Sequence, residues 1–312
     1  GVSQKPMKDA VPFVSPESVR VTLKLPYYGE ISGMGIRRGI TLIVGGGYHG
    51  KSTLLKALEM GIYPHIAGDG REYVITDPDA VKIRAEDGRS IKHTDISMFI
   101  SDLPNQKDTV SFDTEDASGS TSQAANVIEA MEAGASTFLI DEDTSATNFM
   151  VRDELMQKVI HKDMEPITPF IERMQYFYKK FGISTVLVAG SSGAYFQVAD
   201  VIVQMDRYQP REITSRAKEA TAGYQGLQFL EKEIQKPIMK RCPKKNTGLE
   251  HRGRIKLKTL GKDGIMLGSE TIDLRYVEQV ADEEQLTCLG YLMRELETQD
   301  RKSTRLNSSH LV

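Results

Sequence analysis

A chain of 312 residues with 40 Lys and Arg against 43 Asp and Glu carries a formal charge of −3, and 39% of its residues are hydrophobic. That composition excludes wholesale disorder, collagen and a coiled coil, and a charge so near neutral offers no global attraction to nucleic acid. Apolar runs such as Val186–Ala189 fall far short of the ~18 residues a membrane span requires, so the membrane part of any transporter it served would lie on another chain; no membrane partner is expected, since the appended basic unit has no need of one.

Only two cysteines occur, Cys242 and Cys288, without metal-like spacing or a secretory framework. Free thiols in a reducing, cytoplasmic compartment are the expectation. The chain opens without Met and reaches a strand-like run almost at once, which predicts that an N-terminal region precedes residues 1–20.

From there to about residue 210, β-rich runs alternate with helical ones. Strands are expected at Val19–Leu25, Ile40–Val44, Val81–Ala85, Thr137–Ile140, Thr185–Ala189 and Val201–Met205. Helices are expected at Lys51–Gly61, Ser122–Glu132, Asn148–Ile160 and Pro169–Phe181, with Gly134 and Gly182 as stops. Apolar strands without alternation argue for parallel pairing with helices on both faces.

Past Pro210 the texture changes: residues 232–262 hold 11 Lys and Arg but only 2 acidic residues. Short strands at Arg254–Leu257 and Gly264–Leu267 and a helix from Asp282 to Glu297 predict a small α+β unit. The expected division is a remnant or linker at 1–20, a core at 21–210, a basic unit at 211–300 and a tail at 301–312. That tail matches nothing before it and reads as non-native.

Gly45-Gly46-Gly47-Tyr48-His49-Gly50-Lys51-Ser52 fits G-x-x-x-x-G-K-S, between the apolar run Thr41–Val44 and the helical run from Thr53. Strand and helix on either side separate a phosphate loop from an ordinary glycine-rich turn. Without side chains in the way, consecutive N–H groups can turn toward an anion, and the helix N-terminus adds roughly half a positive charge. Gly45 through Thr53 are thus expected to bind ATP, with Lys51 on the β- and γ-phosphates and Ser52 on Mg²⁺.

A second half-site follows. Thr137–Ile140 ends in Asp141 and Glu142, and open α/β sheets put functional groups at strand carboxyl ends. Asp141 is expected in the metal shell, and Glu142 to orient or deprotonate the attacking water. Upstream, Ser118, Gly119 and Ser120 open the helical run Ala124–Glu132 and offer N–H and hydroxyl donors to an anion.

Phosphate loop, small-residue signature and apolar-Asp-Glu, in this order and spacing, resemble an ATP-binding cassette. More narrowly, GMGI at 33–36, TLIVGGGYHGKSTLL at 41–55, EDASGSTSQAAN at 115–126 and LIDEDTSATNFM at 139–150 are similar to the predicted ATPases of the ABC class. The likeness covers about residues 20–300. It implies an α/β P-loop NTPase fold, an ABC-type core with a small C-terminal α+β unit. It also implies a homodimer with two ATP between head-to-tail copies. Each site would take its phosphate loop from one copy and Ser118-Gly119-Ser120 from the other, with Thr144–Asn148 as the D-loop.

Three positions depart from the transporter pattern. The signature is Ala117-Ser118-Gly119-Ser120-Thr121; Ala189-Gly190-Ser191-Ser192-Gly193 stands where a switch histidine is usual, with Gly190 at the expected position ten residues before Asp200; and Ser101, Asp102 or Gln106 fill the Q-loop region. A hydroxyl bonds a phosphate without bringing positive charge, so hydrolysis is expected to be slow or to use another group. His49 is one such group, although its place in the loop points to solvent. Tyr27 or Tyr28 could stack on adenine, but a surface or core tyrosine explains either equally well.

A partner is suggested by Lys240, Arg241, Lys244, Lys245, Arg252, Arg254, Lys256 and Lys258. Alternation puts Arg254, Lys256 and Lys258 on one strand face, which could track RNA phosphates. A solvated face balancing an acidic domain is the plainer explanation. The expected function is a soluble ABC-class ATPase, coupled to RNA; the alternative is a nucleotide-gated scaffold dimer with little turnover. A transporter motor lacks its Q-loop here, and a P-loop kinase leaves the signature spacing unexplained.

Overall fold

The computed structural model describes residue 6 and residues 8–152, 165–223, 233–238 and 255–298. It divides into two compact units, residues 1–239 and 240–312.

The first unit is built on five parallel strands: β3 (Ile40–Val44), β4 (Ala80–Ile83), β7 (Thr137–Asp141), β8 (Ser184–Val188) and β9 (Val201–Asp206). With the antiparallel edge strand β10 (Gln209–Glu212) they form one sheet in the order β10-β9-β3-β8-β7-β4. Every residue of β7 and β8 is buried, as a parallel strand covered on both faces requires. Two hairpins lie outside this sheet: β1 (Arg20–Leu25) with β2 (Gly29–Met34), and β5 (Ile91–Thr94) with β6 (Phe112–Thr114).

Alternate strand residues enter different cores. Ile43, Leu139, Val186 and Val188 pack with Leu55 of α1 (Lys51–Met60). Leu42, Ile140 and Leu187 belong to the larger core with Val127 and Ile128 of α2 (Gly119–Glu132). The expected helices on both faces are therefore present. Phe99, Phe138, Phe149, Phe170 and Phe177 fill the larger core, with ring centroids 5.0 to 6.3 Å apart. On the other face, Lys82 Nζ of β4 lies 2.6 Å from Glu59 Oε1 of α1, a buried pair that ties the helix to the sheet. Such a pair adds little net stability but is costly to break from one side.

Several expected elements change at their ends. The continuous helix expected at Asn148–Ile160 is not formed: α3 is one turn, Thr147–Met150, stopped by Val151 in extended backbone (φ −151°, ψ 152°), and residues 153–164 lie outside the described ones. The helix expected at Pro169–Phe181 is α4 (Ile171–Tyr176) continued by a π-helical turn at Phe177–Phe181, which ends at Gly182 in the left-handed region. Residues 211–223 belong with the first unit, not with the basic one, so the expected boundary at 210 moves to 239. Pro210, where the texture of the sequence changes, lies within an edge strand, a place that tolerates proline: β10 pairs with β9 through Pro210↔Met205, and Ala217 of α5 (Thr214–Thr221) is buried in the larger core.

The second unit holds an antiparallel sheet of β11 (Leu257–Thr259), β12 (Gly264–Leu267) and β13 (Glu270–Asp273), with α6 (Glu283–Thr298). Ile255, Leu257, Leu267 and Met293 make its small core. A Cβ on Gly290 of α6 would stand 2.5 Å from Leu257 Cδ1, so glycine is what lets helix and sheet approach. No helix among the described residues is long and apolar enough to cross a membrane.

Candidate functional site

The site residues gather at the carboxyl ends of β3, β8 and β7, three adjacent strands held in register by Ile43↔Val188 and Asp141↔Val188. Behind β3, the loop begins at Gly45 with φ 145°, where a Cβ would lie 2.4 Å from Met205 O. Glycine is obligatory there on both counts. The loop ends at Gly50, the N-cap of α1, at φ 93° and without a side-chain cap. The first N–H groups of α1 therefore remain open toward the loop. Lys51 folds back across it, its Nζ donating to Gly45 O and Gly46 O at 2.9 Å each. Ser52 and Thr53 follow in the first turn of α1.

His49 is taken up by the β9–β10 turn. Its Nδ1 accepts from Arg207 N at 2.9 Å and lies 3.7 Å from Asp206 Oδ1, which accounts for its ring without a catalytic role. Tyr48 projects into solvent at φ 63°. Tyr27 is fully exposed, and the Tyr28 ring packs against Tyr73 at 5.7 Å.

At the end of β7, Asp141 is only 5% exposed. Its Oδ1 accepts from Asp143 N at 3.2 Å, and its carbonyl accepts from Ser145 Oγ at 2.8 Å and Thr144 Oγ1 at 3.2 Å. Glu142, half-buried, is gripped from the β8 side. Its Oε2 accepts from Gly190 N at 2.7 Å and Ser191 N at 3.0 Å, and its Oε1 from Ser191 Oγ at 2.7 Å. The ring of Tyr195 is fully buried behind this loop region, and its hydroxyl finds no hydrogen-bond partner among the described residues. Burial first, and the Glu142 charge second, hold that phenol in its neutral form far above the usual range.

Ser118 is the N-cap of α2, with its Oγ 3.4 Å from Thr121 N and 2.9 Å from Thr121 Oγ1. Space beside Gly119 is limited: a Cβ there would meet Asp87 Oδ1 at 3.1 Å and Ala146 Cβ at 3.5 Å. Ser120 is buried. One turn further, Gln123 staples this helix to the segment after β7. Its Oε1 accepts from Ala146 N at 2.8 Å, and its Nε2 donates to Ser145 Oγ at 3.0 Å.

The structure thus brings Lys51, Glu142 and the Gly190–Ser191 loop together, and links Ser118–Ser120 to Asp141 through Gln123 and Ser145. The Q-loop expectation finds no such link: none of the hydrogen bonds described for Ser101, Asp102 or Gln106 reaches Lys51, Asp141 or Glu142. Sequence reasoning missed Gln123 and Ser191 as site residues. A buried polar residue within the Ala-rich run of α2 was the available signal for Gln123. Ser191 had its place in the run after β8 as a signal, but not its partner, because Glu142 follows another strand. In the second unit, Lys256 and Lys258 are exposed while Ile255 and Leu257 turn inward. Lys240, Arg241, Lys244, Lys245, Arg252 and Arg254 lie outside the described residues.

A family model of the ABC ATPase P-loop domain matches residues 1–241. The chain belongs to that family. As an ABC ATPase it has the α/β P-loop NTPase fold, an ABC-type core with a small C-terminal α+β unit. A second model, the MRB1590 C-terminal domain, matches residues 256–311 and so extends over most of the tail from 301. This ABC ATPase is 32% identical over 185 residues to the uncharacterised protein MJ1628 of Methanocaldococcus jannaschii; the alignment takes in 58% of this chain and 40% of that relative.

Solved structures similar to the ABC ATPase include CbiO1 of Clostridium perfringens, described as part of an ABC transporter complex. Identity is 14% and the TM-score 0.41, over 66% of this chain and 91% of that one. The ATP-binding cassette MJ1267 in its ADP conformation gives 12% and 0.40, over 65% and 93%. The cassette MJ0796, in a dimeric post-hydrolysis state with ADP and Pi, gives 12% and 0.35, over 62% and 95%.

Proposed function

We propose that this ABC ATPase binds Mg-ATP between two copies of the chain and hydrolyses it. The observation that carries the reading is the convergence at the carboxyl ends of β3, β8 and β7: a glycine loop with Lys51 folded across it, and Glu142 after β7, joined to it through Gly190 of the β8 loop, which donates to Glu142 and lies against Lys51. Gly45, Gly46, Gly47, Tyr48, His49 and Gly50 present backbone N–H groups to the phosphates. Lys51 offsets the charge of the β- and γ-phosphates, and Thr53 continues the cradle into α1.

The donors suit the metal. Ser52 supplies a hydroxyl and Asp141 a buried carboxylate, the hard oxygen set that Mg²⁺ takes together with phosphates. Bound there, Mg²⁺ would neutralise charge on the phosphate oxygens. Glu142 orients the attacking water and takes its proton. Ser118, Gly119 and Ser120 complete the site of the other copy, so closure of two chains assembles each reaction centre.

The test is phosphate release and Mg-ATP binding by the wild type and Glu142→Gln. Turnover that falls by about 10²–10⁴-fold in the variant with binding retained supports the assignment. A wild type that retains ATP without turnover makes the protein a nucleotide-gated dimer instead. Loss of binding in neither protein but equal turnover in both removes Glu142 from the chemistry.

A second reading adds RNA as the coupled partner. The observation favouring it is the exposed Lys256 and Lys258 on one face beside inward Leu257. RNA-stimulated, salt-sensitive turnover tests it.

A further inference from the structure

The loop after β8 was marked in the sequence by what it lacks, and the structure shows what it does instead. Three donors converge on one carboxylate: Gly190 N and Ser191 N on Glu142 Oε2, and Ser191 Oγ on Glu142 Oε1. Both oxygens are engaged, which fixes the plane of the carboxylate as well as its position. A carboxylate has about four lone-pair sites, so acceptor capacity remains for a water.

Each side of this clasp is anchored. Asp141, next to Glu142, is the register partner of Val188, two residues before Gly190. Ala189 N donates to Ile43 O at 2.9 Å, which ties the start of the loop to β3. Past Ser191, Ser192 Oγ accepts from Ala194 N at 3.3 Å and sets the following turn. A Cβ at Gly190 would stand 3.7 Å from Lys51 Nζ. Gly190 is therefore close to both the carboxylate and the lysine of the phosphate loop, and the clasp uses neutral donors throughout.

We infer that Ser191, with the N–H of Gly190, is the positioning device that holds Glu142 for hydrolysis, in place of a charged side chain from this loop. This inference rests on the hydrolytic reading above. Ser191 acts through Glu142, the carboxylate that its N–H and its hydroxyl both reach. Because Ser191 is exposed, shortening its side chain leaves the buried strands undisturbed.

The experiment compares wild type, Ser191→Ala and Ser191→Thr in steady-state phosphate release and in Mg-ATP binding by calorimetry. Removing one hydrogen bond to a charged group should lower kcat of Ser191→Ala by about tenfold to a hundredfold. KM and the binding constant should stay within about twofold, since the phosphate cradle is untouched. Ser191→Thr, which keeps the hydroxyl, should recover most of the lost rate. An unchanged kcat in Ser191→Ala, or a loss of binding that matches the loss of rate, overturns the assignment. If Glu142→Gln abolishes turnover while Ser191→Ala keeps the wild-type kcat, the clasp alone fails. If the wild type shows no turnover dependent on Glu142, the hydrolytic reading fails and takes the clasp with it.

Discussion

The carboxyl ends of the first unit's strands and the outward side of residues 256–258, at the start of β11, both present charged groups, but they support them differently. Lys51, Asp141 and Glu142 stand at the ends of strands whose register is set by buried parallel pairing, and each is hydrogen-bonded by its neighbours. Lys256 and Lys258 are placed by alternation alone, outward because Ile255 and Leu257 turn inward. Chemistry on a phosphate demands atoms held in place, whereas attraction to a polyanion needs only charge density on a surface.

The strongest way to break that contrast is Lys51→Ala. Mg-ATP binding and turnover are expected to fall by roughly 10²-fold or more, since a transition-state donor at the phosphates is lost. Calorimetry and phosphate release check it, and near-normal binding would remove the lysine from the site.

Gly45→Ala comes next, because a Cβ in that backbone conformation would press on Met205 O at 2.4 Å. Destabilisation of about 1–3 kcal/mol is expected, read by urea denaturation, together with weakened ATP binding.

Gln123→Leu leaves the shape of α2 but strips Ala146 N and Ser145 Oγ of their partner. A loss of about 1–3 kcal/mol follows from the orphaned groups. Its sharper readout is turnover falling more than ATP binding, because the staple joins the Ser118–Ser120 turn to the segment behind Asp141.

Smallest of all, Lys256→Ala with Lys258→Ala should change stability by no more than about 0.5 kcal/mol. ATP turnover without RNA should stay as in the wild type. If RNA binds this face, the salt slope of binding drops by about 0.7 for each phosphate that the variant no longer neutralises; an unchanged slope removes these lysines from any RNA surface.

Much of the core was legible because its rules are local. Thr41–Val44 and Thr185–Ala189 read as buried parallel strands from their unbroken apolar runs, and the glycine spacing before Lys51 announced the turn that Gly45 and Gly50 make. What stayed hidden depends on partners far apart in the chain. The clasp on Glu142 joins the segments that follow β7 and β8, and the pairing of β10 with β9 carries the first unit past the change of texture at Pro210. The hairpin of β5 and β6 was missed too: it pairs only at Ile91↔Thr114 and Thr94↔Phe112, with an irregularity between them, which leaves no regular alternation to read.

The central claim, a reaction centre completed by a second copy, is tested most directly by light scattering on Glu142→Gln with and without Mg-ATP. A mass that doubles only with nucleotide is the predicted result, because removing the carboxylate's charge traps ATP between the two copies. A protein that binds Mg-ATP and stays monomeric contradicts the claim.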